Sequence, residues 1–175
     1  MSLLSIVATP IGNLEDITLR ALRTLKECSV IYAEDTRVIS KLLARYEIKK
    51  PLQRLDASTE NKKADDIVTR LEAGEHVVFV SDACTPWISD PGTRLVAQVR
   101  AQLPGVKIEA IPGASALTSA LSIAGIDTTS FTFLGFLPHK KGRQTALKNI
   151  AITEIHVVLY ESPHRILKLL KELED

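Results

Sequence analysis

Three segments combine turn-forming residues with polar groups of a kind that could hold a ligand. They are Thr9-Pro-Ile-Gly-Asn13, Ser81-Asp-Ala-Cys-Thr-Pro86 running on to Ser89-Asp-Pro-Gly92, and Pro112-Gly-Ala-Ser115. Glycine and proline let a backbone turn sharply and approach a ligand closely, and Asp82 could accept hydrogen bonds from a ribose hydroxyl or an amino group. Each segment alone says little, because ordinary turns use the same residues. Two further segments, Glu34-Asp-Thr-Arg37 and Glu161-Ser-Pro-His-Arg165, carry proton acceptors and guanidinium groups. Glu34, Asp35, Glu161 and His164 could take a proton from a nucleophile. Arg37 and Arg165 could hold a phosphate or fix a carboxylate through paired planar contacts. A plainer reading makes both segments helix starts, with Asp35 or Thr36 as a cap and Pro163 in a first turn. His139-Lys-Lys-Gly-Arg143 is a basic loop, either simply solvated or able to bind nucleic-acid phosphates without choosing a sequence.

These segments need a scaffold, and the apolar pattern describes one. Leu3 to Ala8, Ser29 to Ala33, Leu52 to Leu55, His76 to Val80 and Val106 to Ile111 read as strands. Between them, Ile17-Ala21-Leu22-Leu25-Cys28, Ile39-Leu42-Leu43-Tyr46, Ala64-Ile67-Val68-Leu71 and Leu95-Val96-Val99-Leu103 recur at helical spacing. Ser115 to Ala124 reads as a small-residue helix. This alternation predicts an α/β fold, a mainly parallel sheet with helices on both faces. The three ligand-type segments then follow strand C-termini, where open parallel sheets bind ligands. A break near Gly125 to Ser130 divides an N-terminal domain, 1–126, from the start of a second α/β domain, 127–175. The second contains strands at Phe131 to Phe136 and Ile155 to Tyr160, a helix from about Gln144 and a final helix, too little for a complete domain.

Composition narrows the classes. Lys and Arg number 22 against 21 Asp and Glu, which argues against binding nucleic acid by bulk charge alone but leaves room for a local basic patch. Two cysteines, Cys28 and Cys84, are too few for a disulfide scaffold and are not spaced with histidines as a metal site requires. No metal is expected. His76 and His156 lie in strand-like runs and read as structural. The N-terminus reads as a strand rather than a signal peptide, and no apolar run reaches the length of a membrane span. The expected setting is a reducing cytoplasm. There is no G-x-G-x-x-G, no P-loop, no H-E-x-x-H and no G-x-S-x-G.

Taken together, six segments resemble one family closely. They are Val7 to Thr18, Glu34 to Arg37, Val80 to Gly92, Ile111 to Ala116, Gly135 to Pro138 and Tyr160 to Arg165, in order and across nearly the whole chain. The family is that of ribosomal RNA small subunit methyltransferase I, a branch of the tetrapyrrole-methylase-like, or class III, methyltransferases. The resemblance implies two α/β domains with S-adenosylmethionine in the cleft between them. It implies a homodimer and 2′-O-methylation of a cytidine in 16S ribosomal RNA of the small subunit. By position, Pro10, Gly12, Asp82, Thr85, Ser115, Ala116 and Tyr160 would line the cofactor pocket. The sequence departs from the family in having Cys84 and Trp87 where glycines are usual, and Asp56-Ala-Ser58 where a His-x-His pair is common. Family members are also longer.

Two other readings share the scaffold. A tetrapyrrole methyltransferase would use the same cofactor site but want an apolar trough, whereas the two Glu/Arg segments and the basic loop favour RNA. A non-catalytic relative of the methylases would lack cofactor binding. If the pocket lies as the family pattern implies, Asp82→Ala weakens cofactor binding measured by calorimetry, and unchanged affinity removes Asp82 from the site.

Overall fold

The computed structural model describes residues 2–55, 60–81 and 93–174. The chain divides into two compact units, Met1–Ala116 and Leu117–Asp175. In the first, strands β1 (Leu3–Val7), β2 (Val30–Ala33), β3 (Leu52–Arg54), β4 (His76–Val80) and β5 (Lys107–Ile111) alternate with four helices. These are α1 (Leu19–Glu27), α2 (Thr36–Arg45), α3 (Glu60–Glu72) and α4 (Thr93–Gln102). The strands form one parallel sheet in the order β3-β2-β4-β1-β5. The expected α/β architecture is therefore present, with elements where the apolar periodicity put them. Helix starts follow local chemistry: the Thr18 hydroxyl caps α1 by accepting from the Ala21 N–H at 3.0 Å.

Strand order dictates which helices share a face. Parallel crossovers are right-handed. The chain moves one way along the sheet from β1 through β2 to β3, then the other way through β4 to β5. Helices α1 and α2 must therefore cover one face, and α3 and α4 the other. The core divides in this way. Ala21, Leu25, Ile39, Leu42 and Leu43 of α1 and α2 pack with Val7, Ile31, Ala33, Val78, Val80 and Ile111. Ala64, Ile67, Val68, Leu71, Leu95 and Val99 of α3 and α4 pack with Leu4, Ile6, Val30, Tyr32, Val77 and Phe79. Neighbouring strand residues thus serve opposite faces, as the two-residue period requires, and both sets are apolar because both faces are covered. Leu4 and Phe79 are fully buried, each contributing about 1.5–3 kcal/mol of hydrophobic stabilisation.

The second unit holds α5 (Ala116–Ile123, starting at the division), β6 (Phe131–Phe136), α6 (Arg143–Ala151), β7 (His156–Tyr160) and α7 (Ile166–Glu174). β6 and β7 pair in parallel, with a bulge between Phe133 and Gly135. The buried cluster here is small, Leu137, Leu147 and Leu169 with Ala146, Ile150 and Leu159 against it. Phe136 on β6 and Leu167, Leu170 and Leu173 on α7 are exposed.

Near the amino edge of the large sheet lies a buried polar chain. The Ser5 hydroxyl donates to Glu109 Oε1 at 2.9 Å, so it accepts from His76 Nε2 at 2.8 Å. Burial holds the His76 imidazole below its ordinary value of 6.5, with Glu109 and Glu27 pulling the other way. Charging it therefore costs more in the folded state than in the unfolded chain. This contribution to stability is present above pH 6.5 and is lost as pH falls through the lower folded value. Lowering the pH from about 7 to about 5 should reduce the urea midpoint, and His76→Gln should flatten that decline. An identical slope in both proteins removes His76 as its source.

Candidate functional site

All five strand C-termini of a parallel sheet lie on one edge. Because β4, β1 and β5 are neighbours, the segments after them, at Ser81, Thr9 to Asn13 and Pro112 to Ser115, lie side by side there. Helix α1, which follows β1, packs on one face of the sheet, and α4, which follows β4, on the other. Neighbouring strands whose following helices part in this way mark a topological switch point, where such sheets form a crevice and bind ligands. Its walls are tied together. The Thr9 hydroxyl donates to the Ser81 carbonyl at 2.9 Å, both residues being buried, and Ala8 N–H donates to the Ile111 carbonyl at 3.1 Å. A small cavity opens at this point, lined by Thr9, Pro10 and Ser81 and by Leu14, Val38, Ile39 and Leu42. Asn13 stiffens the first segment by capping a 3-10 turn, Leu14–Asp16, through the Glu15 N–H at 3.1 Å.

Glycine at position 113 answers a packing demand. A β-carbon there would stand 3.0 Å from the Ala8 side chain, so its absence lets the β5 segment press against the end of β1.

Four of the expected cofactor residues, Pro10, Gly12, Ser115 and Ala116, lie in the segments at this edge, and Tyr160 lies in the second unit. Pro10 lines the cavity, and Gly12 is exposed beside it in sequence. Ser115 and Ala116 are half-buried where β5's segment enters α5. Tyr160 closes β7 and packs edge-on against Phe133 and Phe136, with ring centroids 4.9 and 5.6 Å away. Asp82, Thr85, Cys84, Trp87 and the stretch Asp56-Ala-Ser58 lie outside the described residues.

The two charged segments are helix starts with their charges paired. Asp35 caps α2, accepting the Arg37 N–H at 2.8 Å and Arg37 Nε at 2.9 and 3.0 Å. The Arg37 side chain and then its N–H hold the Asp35 carboxyl down at about 2. A carboxylate held so low is a poor proton acceptor near neutrality and suits orienting Arg37, whose side chain is 87% exposed. Glu34 is half-buried at the end of β2.

Glu161 directly follows β7, with its side chain only 1% exposed. Its Oε1 accepts from Arg165 Nη2 at 2.6 Å and from the Ser162 N–H at 2.8 Å, while Oε2 faces Arg143 Nη1 at 3.6 Å. His164 is exposed. The sequence reading grouped Arg143 with the basic loop, and this the structure corrects. Gly142 takes a left-handed conformation, φ 89°, that turns the chain into α6 and sends Arg143 inward. His139, Lys140 and Lys141 remain exposed. A cation in the first turn of a helix opposes the helix dipole, a signal that Arg143 has buried anionic partners.

Burial pushes the Cys28 thiol up to about 11, as suits an inert core cysteine. Among the described residues, no group of three His, Cys, Asp or Glu could hold a metal ion, and no helix is long and apolar enough to cross a membrane.

Comparison with known proteins follows the same lines. The family model "Tetrapyrrole (Corrin/Porphyrin) Methylases" matches residues 3–175. Ribosomal RNA small subunit methyltransferase I of Thermotoga maritima is 45% identical over 99% of this chain and 77% of its own length. The protein of the same name from Pasteurella multocida is 49% identical over 98% of this chain, which spans only 61% of that relative. Among solved structures, uroporphyrin-III-C-methyltransferase from Thermus thermophilus is similar in fold, with a TM-score of 0.68 at 20% identity over 99% of this chain and 74% of that one. Cobalt precorrin-4 methyltransferase gives 0.67 at 20% identity, over the same shares.

The close approach of Gly113 and Ala8 is open to a double-mutant test. Gly113→Ala should cost about 1–3 kcal/mol by overpacking, and should cost less when introduced into Ala8→Gly. Equal costs in both backgrounds would show that the two residues do not press on each other.

Proposed function

The chain belongs to the tetrapyrrole methylase family, in its ribosomal RNA small subunit methyltransferase I branch, and we propose that it transfers a methyl group from S-adenosylmethionine to the ribose 2′-hydroxyl of a cytidine in 16S ribosomal RNA. The observation that carries this reading is the 45% identity with the Thermotoga protein over 99% of the chain. The cavity at the ends of β1 and β4 supports it, because a ligand there meets Thr9, Pro10 and Ser81 beside an apolar wall of Leu14, Val38, Ile39 and Leu42. These fit an adenosyl group, which needs close approach more than charge. Pro10, Gly12, Asp82, Thr85, Ser115, Ala116 and Tyr160 are the proposed cofactor contacts.

Bound there, S-adenosylmethionine supplies an electrophilic methyl group on a positively charged sulfur. The protein's task is alignment, since an in-line displacement depends on the geometry of nucleophile and leaving group. The Thr9–Ser81 hydrogen bond keeps the wall from shifting as the site fills. Of the four proton acceptors, Asp35 and Glu161 are engaged by arginines. His164, exposed in the second unit, is proposed to take the hydroxyl proton, with Glu34 at the end of β2 as the other candidate. Arg37 and Arg165 are proposed to hold RNA phosphates, with His139, Lys140 and Lys141 adding contacts that do not read sequence. We further propose that residues 127–175 begin the C-terminal domain, and that the protein acts as a homodimer on the small ribosomal subunit in the cytoplasm.

A tetrapyrrole substrate is the competing reading, and the test separates the two. Calorimetric titration with S-adenosylmethionine should give saturable binding. Methyl transfer should then appear with 30S particles and not with porphyrin precursors; the reverse result installs the competing reading, and absence of binding points to a non-catalytic relative. Arg37→Ala and Arg165→Ala should keep cofactor affinity and lose RNA methylation. Equal loss of both properties assigns the arginines to structure.

A further inference from the structure

Four buried or partly buried charged side chains meet in the second unit, and two of them, Arg143 and Glu172, have no part in the site so far. Arg143 donates from Nε and Nη2 to Glu172 Oε2 at 2.9 and 2.5 Å, and from Nη1 to the Pro138 carbonyl at 3.3 Å. The same Nη1 faces Glu161 Oε2 at 3.6 Å. Its side chain is 6% exposed and that of Glu161 1%. Glu161 in turn pairs with Arg165, whose Nε donates to the Ser162 hydroxyl at 3.3 Å. Two buried or half-buried guanidinium groups thus balance two carboxylates, with Lys168 reaching Glu172 from outside at 3.7 Å.

The balance is uneven at two atoms. Among the described residues, Glu161 Oε2 and Arg165 Nη1 are buried without a hydrogen-bond partner. Glu161 Oε2 faces Arg143, whereas Arg165 holds the other oxygen of the same carboxylate. If Arg143 is removed, Oε2 loses that compensation, and the carboxylate is expected to turn toward water and loosen its hold on Arg165. Arg165 Nη1 is a buried donor without a described partner on a guanidinium whose Nε and Nη2 are held, and such an unmet donor favours an acceptor that can reach it.

We propose that Arg143 is a positioning residue for Arg165: it clamps Glu161 and Glu172 inside the second unit, and Glu161 holds the Arg165 guanidinium at the end of β7 to meet an anionic oxygen of a substrate. This rests on the methyltransferase reading above, in which that oxygen belongs to an RNA phosphate; the carboxylate of S-adenosylmethionine is the other source, which the test distinguishes. Gly142 belongs to the device, because its left-handed turn directs Arg143 inward while the lysines before it face solvent.

The test uses the full chain and two readouts. In the nitrogen-15 spectrum of the wild-type protein, Arg165 should show separate, slowly exchanging Nη–H signals. In Arg143→Gln these should merge while the backbone spectrum stays that of the folded protein, and Arg143→Lys should recover part of the separation. Glu161→Gln should free the same signals, and it carries the test if Arg143→Gln does not fold. Unchanged Arg165 signals in both folded variants overturn the proposal. The second readout is affinity for a 16S RNA fragment and for S-adenosylmethionine. Arg165→Gln should weaken one of them by about fivefold or more, which identifies the anion, and Arg143→Gln should weaken the same one. In the Arg165→Gln background, Arg143→Gln should then have little further effect; equal losses in both backgrounds overturn the route through Arg165. A wild-type chain that binds neither ligand sinks the functional reading and the anion contact with it, while the guanidinium signals still decide whether Arg143 holds Arg165.

Discussion

The reversal of direction along the sheet at β1 and β4 is the constraint on which the first unit depends. Right-handed crossovers commit α1 and α2 to one face and α3 and α4 to the other. Both faces of the sheet are then buried, which is why its strands read as continuous apolar runs instead of alternating ones. The same reversal sends the helices that follow β1 and β4 to opposite faces. The crevice is thus a consequence of chain topology, present before any side chain in it is chosen.

Side chains then decide how well that crevice keeps its shape. A gap between neighbouring segments would breathe if each were fixed only by its own strand. Thr9 bonding to Ser81, Ala8 bonding to Ile111 and the bare α-carbon of Gly113 against Ala8 link the ends of three neighbouring strands. Rigid walls matter to group transfer because alignment is most of what the protein contributes. On the same edge, Asp35 serves two ends at once, satisfying the free N–H groups at the start of α2 and orienting Arg37.

The second unit meets a different problem. It has a small apolar cluster and two paired strands among its described residues, and it places charges inside. A buried ion pair is weak evidence for stability, since desolvation cancels much of the attraction, but it does fix geometry. The network of Arg143, Glu161, Glu172 and Arg165 joins the start of α6, the end of β7 and both ends of α7. Orientation of the arginine at the end of β7 is what such an arrangement supplies.

Apolar runs and helical spacing located the strands and helices α1 to α4 of the first unit, because such patterns reflect which faces must leave water. Segment order and residue type were enough to recognise the family, since Pro10, Ser115, Tyr160 and the Glu/Arg segments stand at strand ends whatever the packing. Sequence did not reveal the strand order, so the crevice between β1 and β4 could be placed only as a general expectation about sheet edges. Nor did it reveal which charges are spent: Asp35 and Glu161 looked like proton acceptors until their arginines were seen beside them, and Arg143 looked like one more solvated base in a basic loop. The Asp35–Arg37 and Glu161–Arg165 pairs are local and fit the helix-start reading, whereas for the remaining partners the physical reason is distance along the chain. Caps and helix faces are set by neighbours within a turn or two, whereas the Thr9–Ser81 bond and the Arg143–Glu172 pair join residues far apart in sequence, and only the folded chain decides which of them meet.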